Sequence, residues 1–451
     1  MTTTVEAERA VQRDDAQLPE EVLTSRTSVI LRPLGRPSLR YLAVLAAALA
    51  GLAWFAQAWA FQLRNGLVVT GLSDWGTGGG VPWGIYVGSF IWWVGIAHGG
   101  IVVSAAVRVF KIDALKPVAR LAELLTLAAL VNAGLYIIVH LGRPDRIVTS
   151  ILPHLGQTIR SSPLAWDVVV LTLYFVLTGT YLALTVRHDL HELRDRLPRA
   201  LRPFYRVVLV GYRPGERRKA ERMAWWLALG VIVLAPLFLH GGVIPWLFAV
   251  LPSQPGWFGS VQGPLFLAAA LTSALAAVTI LAFVFRRAYG WEGIIDDGVF
   301  RSLSRWTGLF ALLYLWLQLQ QVVTGSAMAP DSVDSAVDAR LEAPLFWLAV
   351  ALLAITVGHA GLQTLSARLF SVGRTAAVAG LPVLAILIEK TLFVVEGPRH
   401  PAFSLYAQMP SSYAPSWVEL SSVVGAFAIV VLLFLVAVKA LPLVETEEDE
   451  P

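Results

Sequence analysis

Residues 82–108 read PWGIYVGSFIWWVGIAHGGIVVSAAVR. The run holds no Asp, Glu or Lys, and its single Arg stands at the very end. A helix that crosses a bilayer needs about 20 mostly apolar residues. In hydrocarbon every backbone polar group must be satisfied within the segment, so a run of this length is a helix. Nine more runs of the same kind flank it, near 41–61, 118–141, 164–186, 223–250, 264–285, 304–324, 344–366, 376–396 and 417–440. They predict an all-α integral membrane protein of about ten transmembrane helices, arranged as two four-helix bundles with flanking helices.

The 451 residues are 56% hydrophobic and 15% charged, with mean hydropathy +0.65. Ordinary soluble domains carry about 25% charged residues. That contrast excludes a soluble enzyme, and the apolar content excludes a disordered chain. The chain has no cysteine, so disulfides, thiol catalysis, Cys-ligated zinc and iron–sulfur clusters held by this chain are all excluded. No metal site is expected. A net charge of +4 is too small to argue nucleic-acid binding.

Orientation follows from where Lys and Arg fall, because cytoplasmic loops are enriched in them. With the N-terminus inside, only Arg64, Arg143, Arg146, Arg160, Arg340 and Arg399 of the 35 basic residues lie in outer loops, and Lys390 lies within a helix. Both termini are therefore expected in the cytoplasm. The chain is expected to be multi-pass in a bacterial or archaeal cytoplasmic membrane. Residues 1–39 lack the pattern of a secretory signal and read as a mobile cytoplasmic arm. Residues 40–250 read as the first helix plus an N-terminal four-helix bundle, 251–400 as a second bundle and 401–440 as the last helix. Residues 441–451 read as an acidic, solvated tail. The inner stretch 187–222 reads as a basic loop in preference to one that begins with an amphipathic surface helix at 188–193, and 325–343 as an acidic outer loop that is solvated or meets another subunit.

Ionisable side chains inside membrane spans are costly and usually functional or paired. His98 lies mid-helix, before Gly99 and Gly100. Glu123 sits in the inner part of the next helix and His140 at its outer end, followed by Arg143 and Asp145. Asp167 opens the helix after that. Antiparallel helices put His140, Arg143, Asp145 and Asp167 near one outer surface, with Trp83, Tyr86, Trp92 and Trp93 as an aromatic wall. His and Asp suit both hydrogen bonding to a quinone head group and acceptance of its protons. The plainer reading of His98 is a helix-packing hydrogen bond beside two glycines. For the acids it is ion pairing with Arg143 or Arg146, and for the tryptophans interfacial anchoring. Further along, His240, His359, Glu389 and Lys390 suggest a second polar path. Glu389 and Lys390 are adjacent, so each is expected to find its partner elsewhere or, for Lys390, to snorkel. The histidines do not pair at matching depth, which argues against haem. The glycine-rich segment 76–80 lacks the Gly-Lys-Ser/Thr ending of a phosphate loop and reads as a flexible turn.

Four ordered motifs carry a resemblance. Pro82-Trp83-Gly84-Ile85-Tyr86, Gly95-Ile96-Ala97-His98-Gly99-Gly100, Ala122-Glu123 and His140-Leu141-Gly142-Arg143-Pro144 resemble the NrfD/PsrC family, the membrane subunits of polysulfide-reductase-like complexes. In layout the chain is similar to the larger, ten-helix, ActC-like members. The resemblance implies a quinone, menaquinone or ubiquinone, bound in the first bundle near the outer face, with no haem or iron–sulfur cluster on this chain. It implies a ferredoxin-like iron–sulfur subunit docked on the outer face, connected to molybdopterin, hydrogenase or cytochrome subunits. It puts His98 in the quinone site or its proton path, Glu123 in the proton path, and His140 and Arg143 at the outer pocket. Asp167 is added from its depth alone. The expected function is a quinone-reactive subunit of a respiratory oxidoreductase complex, inactive alone, with coupling to proton translocation open. A secondary transporter and a passive membrane anchor are the alternatives.

Overall fold

Ser38 caps the first long helix, its side chain accepting from the Tyr41 amide at 3.2 Å, which satisfies one of the donors left open at a helix start. This helix is α1 (Leu39–Asn65), followed by α2 (Ile85–Phe110), α3 (Ala119–His140), α4 (Pro163–Glu192) and α5 (Arg217–Leu234). Then come α6 (Gln262–Tyr289), α7 (Asp297–Met328), α8 (Asp331–Glu342), α9 (Pro344–Leu365), α10 (Val372–Arg399) and α11 (Trp417–Ala440). The structure is a computed structural model describing residues 26–71, 83–160, 163–213, 215, 217–234, 244–249, 254–257, 259, 261–328, 330–399 and 413–445. No strand occurs among them.

Among the described residues, nine helices are long and apolar enough to cross a membrane, all of the eleven except α5 and α8. The chain is an all-α integral membrane protein, as its apolar runs predict. The expected span at 223–250 appears as α5 and a short helix, Ile244–Ala249. Residues 235–243, which include His240, lie outside the described residues, as does the 76–80 turn.

Helices α2–α5 pack as one bundle and α6, α7, α9 and α10 as a second. The bundles join where α2 lies against α6 and α10, while α1 and α11 pair along the flank. A helix that is apolar all round must be surrounded, and α2 is buried on every side from Ile85 to Ile101. Two glycines permit this. A Cβ on Gly100 would stand 2.7 Å from the Ala122 carbonyl of α3, and one on Gly99 would collide with Ala274 of α6.

One end of the molecule gathers the basic loops 111–116, 187–222, 286–305 and 368–374, and is called the basic end. Here three sequence expectations change. The arm is fastened over its described part: Ile30 is buried, the Trp291 indole donates to Val29 O at 3.0 Å, and Lys439 Nζ donates to Pro33 O and Gly35 O at 2.7 Å. Glu445 is not a free tail residue, because Leu443 and Val444 bury beside it and it pairs with Arg108 at 2.7 Å. Residues 188–192, expected in a plain loop, continue α4, and Leu190, Leu193, Leu197 and Tyr205 form a small apolar cluster. At the opposite end the expected loop 325–343 holds the last turn of α7 and then α8, with Val333, Ala336 and Val337 turned inward and Asp331 and Asp338 outward. Apolar side chains at helical spacing explain the two new helical stretches, and long-range polar contacts hold the arm and the tail.

Candidate functional site

The start of α2 is held in place by a buried acid. Glu419 and Ser416 form a capping box at the start of α11. Glu419 Oε2 also accepts from the Gly71 amide at 2.7 Å, and its Oε1 accepts from Tyr413 OH at 2.9 Å. Tyr413 OH in turn accepts from the Ile85 amide at 2.8 Å. Glu419 is fully buried, so this chain of bonds anchors the end of α2 that carries Trp83 and Tyr86 against α11.

Around that end the site is mostly aromatic. Trp83 stacks on Trp257, ring centroids 5.8 Å apart, and meets Phe248 edge-on at 6.2 Å and His140 edge-on at 6.3 Å. Tyr86 lies 6.4 Å from the Tyr136 ring and donates its hydroxyl to Gln62 Oε1 at 2.6 Å. Gln62 Nε2 donates to Val139 O at 2.8 Å, tying α1 to the last turn of α3. His140 is buried, and its Nδ1 lies 2.8 Å from Tyr136 O. A carbonyl only accepts, so Nδ1 carries the hydrogen and Nε2 is left with a lone pair. Asp167, in the first turns of α4 at the same end, is fully buried, and neither carboxylate oxygen has a hydrogen-bond partner among the described residues.

The remaining sequence candidates sit elsewhere. Arg143 and Asp145 are exposed and occupied with each other, Nε to Oδ1 at 2.9 Å and Nη2 to Oδ2 at 2.8 Å. The guanidinium holds the Asp145 carboxyl below the usual carboxylate range. The expected grouping with His140 in one pocket is therefore not seen; the paired residues lie on the surface beyond it. His98 follows Tyr86 by twelve residues, about 18 Å along the helix. Its Nδ1 lies 2.5 Å from Val94 O and its ring stacks on Tyr174 at 5.1 Å. The structure does not bring it to Trp83, Tyr86 and His140.

Glu123 is deeper still, about 25 Å from His140 along α3. It is fully buried, accepting from Ser104 at 2.5 Å and from Thr185 at 3.2 Å. Ser104 Oγ lies 3.1 Å from Tyr181 OH, which accepts from Arg108 Nε at 2.5 Å.

In the second bundle, Lys390 Nζ lies 2.9 Å from Glu389 Oε2, and both are buried. The expectation of separate partners fails because both stems are long enough to curl along the helix side. Gln318 Nε2 also reaches Glu389 at 3.3 Å, and the ammonium sits 3.8 Å from the Phe266 ring centroid. His359 lies apart from this pair, towards the basic end, in a hydroxyl-lined niche with Thr307, Thr356 and Thr375.

Sequence reasoning missed Gln62, Tyr136, Phe248 and Trp257. Gln62 carried a signal, being an amide in the apolar run of α1, where such groups mark helix contacts. The aromatics carried none, since nothing in their own helices distinguishes a wall from packing.

The arrangement offers a flat indole wall beside an imidazole acceptor, with a buried carboxyl at the same end of the bundle. Comparison with known proteins bears on what that corner belongs to. The chain is 28% identical over 414 residues to a putative dimethyl sulfoxide reductase membrane subunit of Halobacterium salinarum, covering 87% of this chain and 89% of that protein. It is 22% identical to a selenate reductase subunit of Mesobacillus selenatarsenatis, covering 86% and 91%. It is 24% identical to an Hdr-like menaquinol oxidoreductase integral membrane subunit of Archaeoglobus fulgidus, covering 90% and 94%. Residues 75–394, from just before the wall tryptophan to the last turns of α10, match the polysulphide reductase NrfD family, and the chain belongs to that family.

Proposed function

We propose that this chain is the quinone-reactive membrane subunit of an oxidoreductase complex, with its quinone site at the Trp83–Tyr86–His140 corner. One observation carries the reading: an aromatic wall meets an imidazole acceptor, and a buried carboxyl with no hydrogen-bond partner among the described residues lies at the same end of the first bundle. The family and its relatives, named as membrane subunits of reductases and of a menaquinol oxidoreductase, support it.

The residues fit a quinone head group. The stacked Trp83 and Trp257 offer a face for a flat ring. His140 Nε2 accepts a hydrogen bond and, once protonated, donates one. A bound quinone or quinol supplies a couple that moves electrons together with protons. His140 takes or returns a proton at Nε2, with its ring direction set by the Nδ1–Tyr136 bond. Asp167, buried beside the same end of the bundle, holds a second proton at its carboxyl. Tyr86 and Gln62 hold the α1 and α3 walls at fixed spacing. Trp83, Phe248 and Trp257 exclude water from the corner.

The remaining assignments rest on charge and depth. The basic end faces the cytoplasm by the positive-inside rule, with both termini there, and the quinone corner faces outward. An iron–sulfur subunit docked outside accepts or delivers the electrons, connected to a molybdopterin, hydrogenase or cytochrome subunit. Proton translocation, where coupled, draws on Glu123 and His98 in the first bundle and on His359 and the Glu389–Lys390 pair in the second.

The test is mild-detergent purification through a tag on this chain, with identification of co-purifying subunits and assay of bound quinone. Quinone and an iron–sulfur partner are expected with the wild type, and at least tenfold less quinone with His140→Ala. A lone polypeptide without quinone overturns the reading.

A further inference from the structure

At the basic end, a cavity of about 90 Å³ opens between α4 and α5. It has room for several waters. Arg108, Thr185, His188, Asp189 and Glu445 are among its walls. Thr185 and Arg108 are also the groups that lead to Glu123. Thr185 Oγ1 donates to Glu123 directly, and Arg108 reaches it through Tyr181 and Ser104. Glu123 is itself fully buried, so it stands one side chain behind the cavity wall.

The other side of that wall is the segment that follows α11. Tyr205 OH donates to Ala440 O at 2.9 Å, where α11 stops. Arg120, itself buried, donates Nη1 to Pro442 O at 3.2 Å and to Val444 O at 3.1 Å, and Nη2 to Thr185 O at 2.8 Å. Its ion pair with Asp189 fixes the guanidinium between this segment and α4. Leu443 and Val444 are buried, and Glu445 meets Arg108 at 2.7 Å with about a fifth of each side chain exposed. The strap is thus pinned firmly through its carbonyls and only lightly at its last described residue. Arg108 has a choice of acids, Glu445 at the surface and the Glu123 network within.

We propose that residues Leu441–Glu445 form a latch that closes the basic-end cavity, and that the Arg108–Glu445 contact controls the access of water and protons to Glu123. The inference deepens the proposed function, since it regulates the proton-exchanging carboxyl that reading assigns, but its readout involves no quinone. Opening the latch frees Arg108, lets water pass from the cavity beyond Thr185 to Ser104, and joins Glu123 to the aqueous side.

The experiment uses the whole complex in membrane vesicles with the basic end outward. A small water-soluble carbodiimide is added, and modification of Glu123 is read by mass spectrometry, with Glu123→Gln as the unlabelled control. The rate is expected to rise about fivefold in Glu445→Gln, the scale of one partly exposed charged hydrogen bond. It is expected to rise more than tenfold when residues 442–451 are removed, and to return to the wild-type value in Glu445→Asp. A second measurement does not depend on the truncated variant folding perfectly. The chain has no cysteine, so Thr185→Cys provides its only thiol. A charged thiol reagent then reports the cavity wall directly, in Thr185→Cys alone and in Thr185→Cys combined with Glu445→Gln. Equal rates at Glu123 and at position 185 with and without the Glu445 carboxylate would overturn the latch. Loss of quinone binding with an intact latch response would instead count against the quinone reading alone.

Discussion

Replacing Lys390 with Met is the sharpest single perturbation of the second bundle. The wild-type ammonium is 2% exposed and the Glu389 carboxylate 5%, with 2.9 Å between them. Without Lys390, the carboxylate keeps Gln318 Nε2 at 3.3 Å. Breaking a buried pair by removing one partner costs about 3–5 kcal/mol, because a charge is left uncompensated. Gln318 still reaches the Glu389 carboxylate, so the lower end, about 3 kcal/mol, is expected. Glu389→Gln should cost less, since the Phe266 face stays 3.8 Å from the ammonium and a buried cation–π contact recovers about 2 kcal/mol. The double variant removes both charges, and such replacements are often neutral. It should fall within about 1 kcal/mol of the wild type, giving a coupling of about 3–4 kcal/mol, the summed cost of the singles less that of the double. The assay is unfolding in mixed micelles titrated with a denaturing detergent, followed by tryptophan fluorescence. A Lys390→Met variant as stable as the wild type, or a double variant that merely sums its singles, would refute the reasoning.

Three further outcomes follow from the same structure. Gly99→Val should fail to assemble the two bundles, because a side chain there meets Ala274, while Gly134→Ala, in open space, should be silent; yields of folded protein on size exclusion compare them. His140→Gln should lower the turnover of quinol-dependent electron transfer about 100-fold, the usual scale of a lost general base, whereas Trp83→Ala should mainly weaken quinone binding. Asp145→Asn should leave thermal stability at pH 7 unchanged, since its pair is exposed. The depressed Asp145 carboxyl favours the folded state above the normal carboxylate range, and what little it contributes disappears as the pH falls below that range.

Much of the architecture was legible because lipid imposes a single rule on every segment. An apolar run of sufficient length is a helix wherever it occurs, so α2, α3, α6 and α11 could be read with nothing but their own residues. The first bundle's polar candidates were legible as a set, because charges in a span stand out against apolar neighbours. Their grouping was not. Arg143 and Asp145 stand in the same turn as His140, yet they face outward and pair together, because a bidentate contact two residues apart needs no help from the rest of the fold.

What the sequence by itself determined is the class of protein, the approximate course of its spans and the identity of residues too costly to place in a membrane without a reason. Those are properties of one segment against its solvent. What only the tertiary structure decided is who meets whom. Gln62 of α1 joins Tyr86 of α2 to the end of α3, Glu419 of α11 steadies α2 through Tyr413, and Glu445 closes on Arg108 across 337 positions of chain. Each of these contacts depends on the packing of helices far apart in sequence, and each involves side chains whose own segments give no direction to the partner. Helix formation is settled over one turn, whereas a buried polar pair is settled by whichever distant helix arrives with the complementary group.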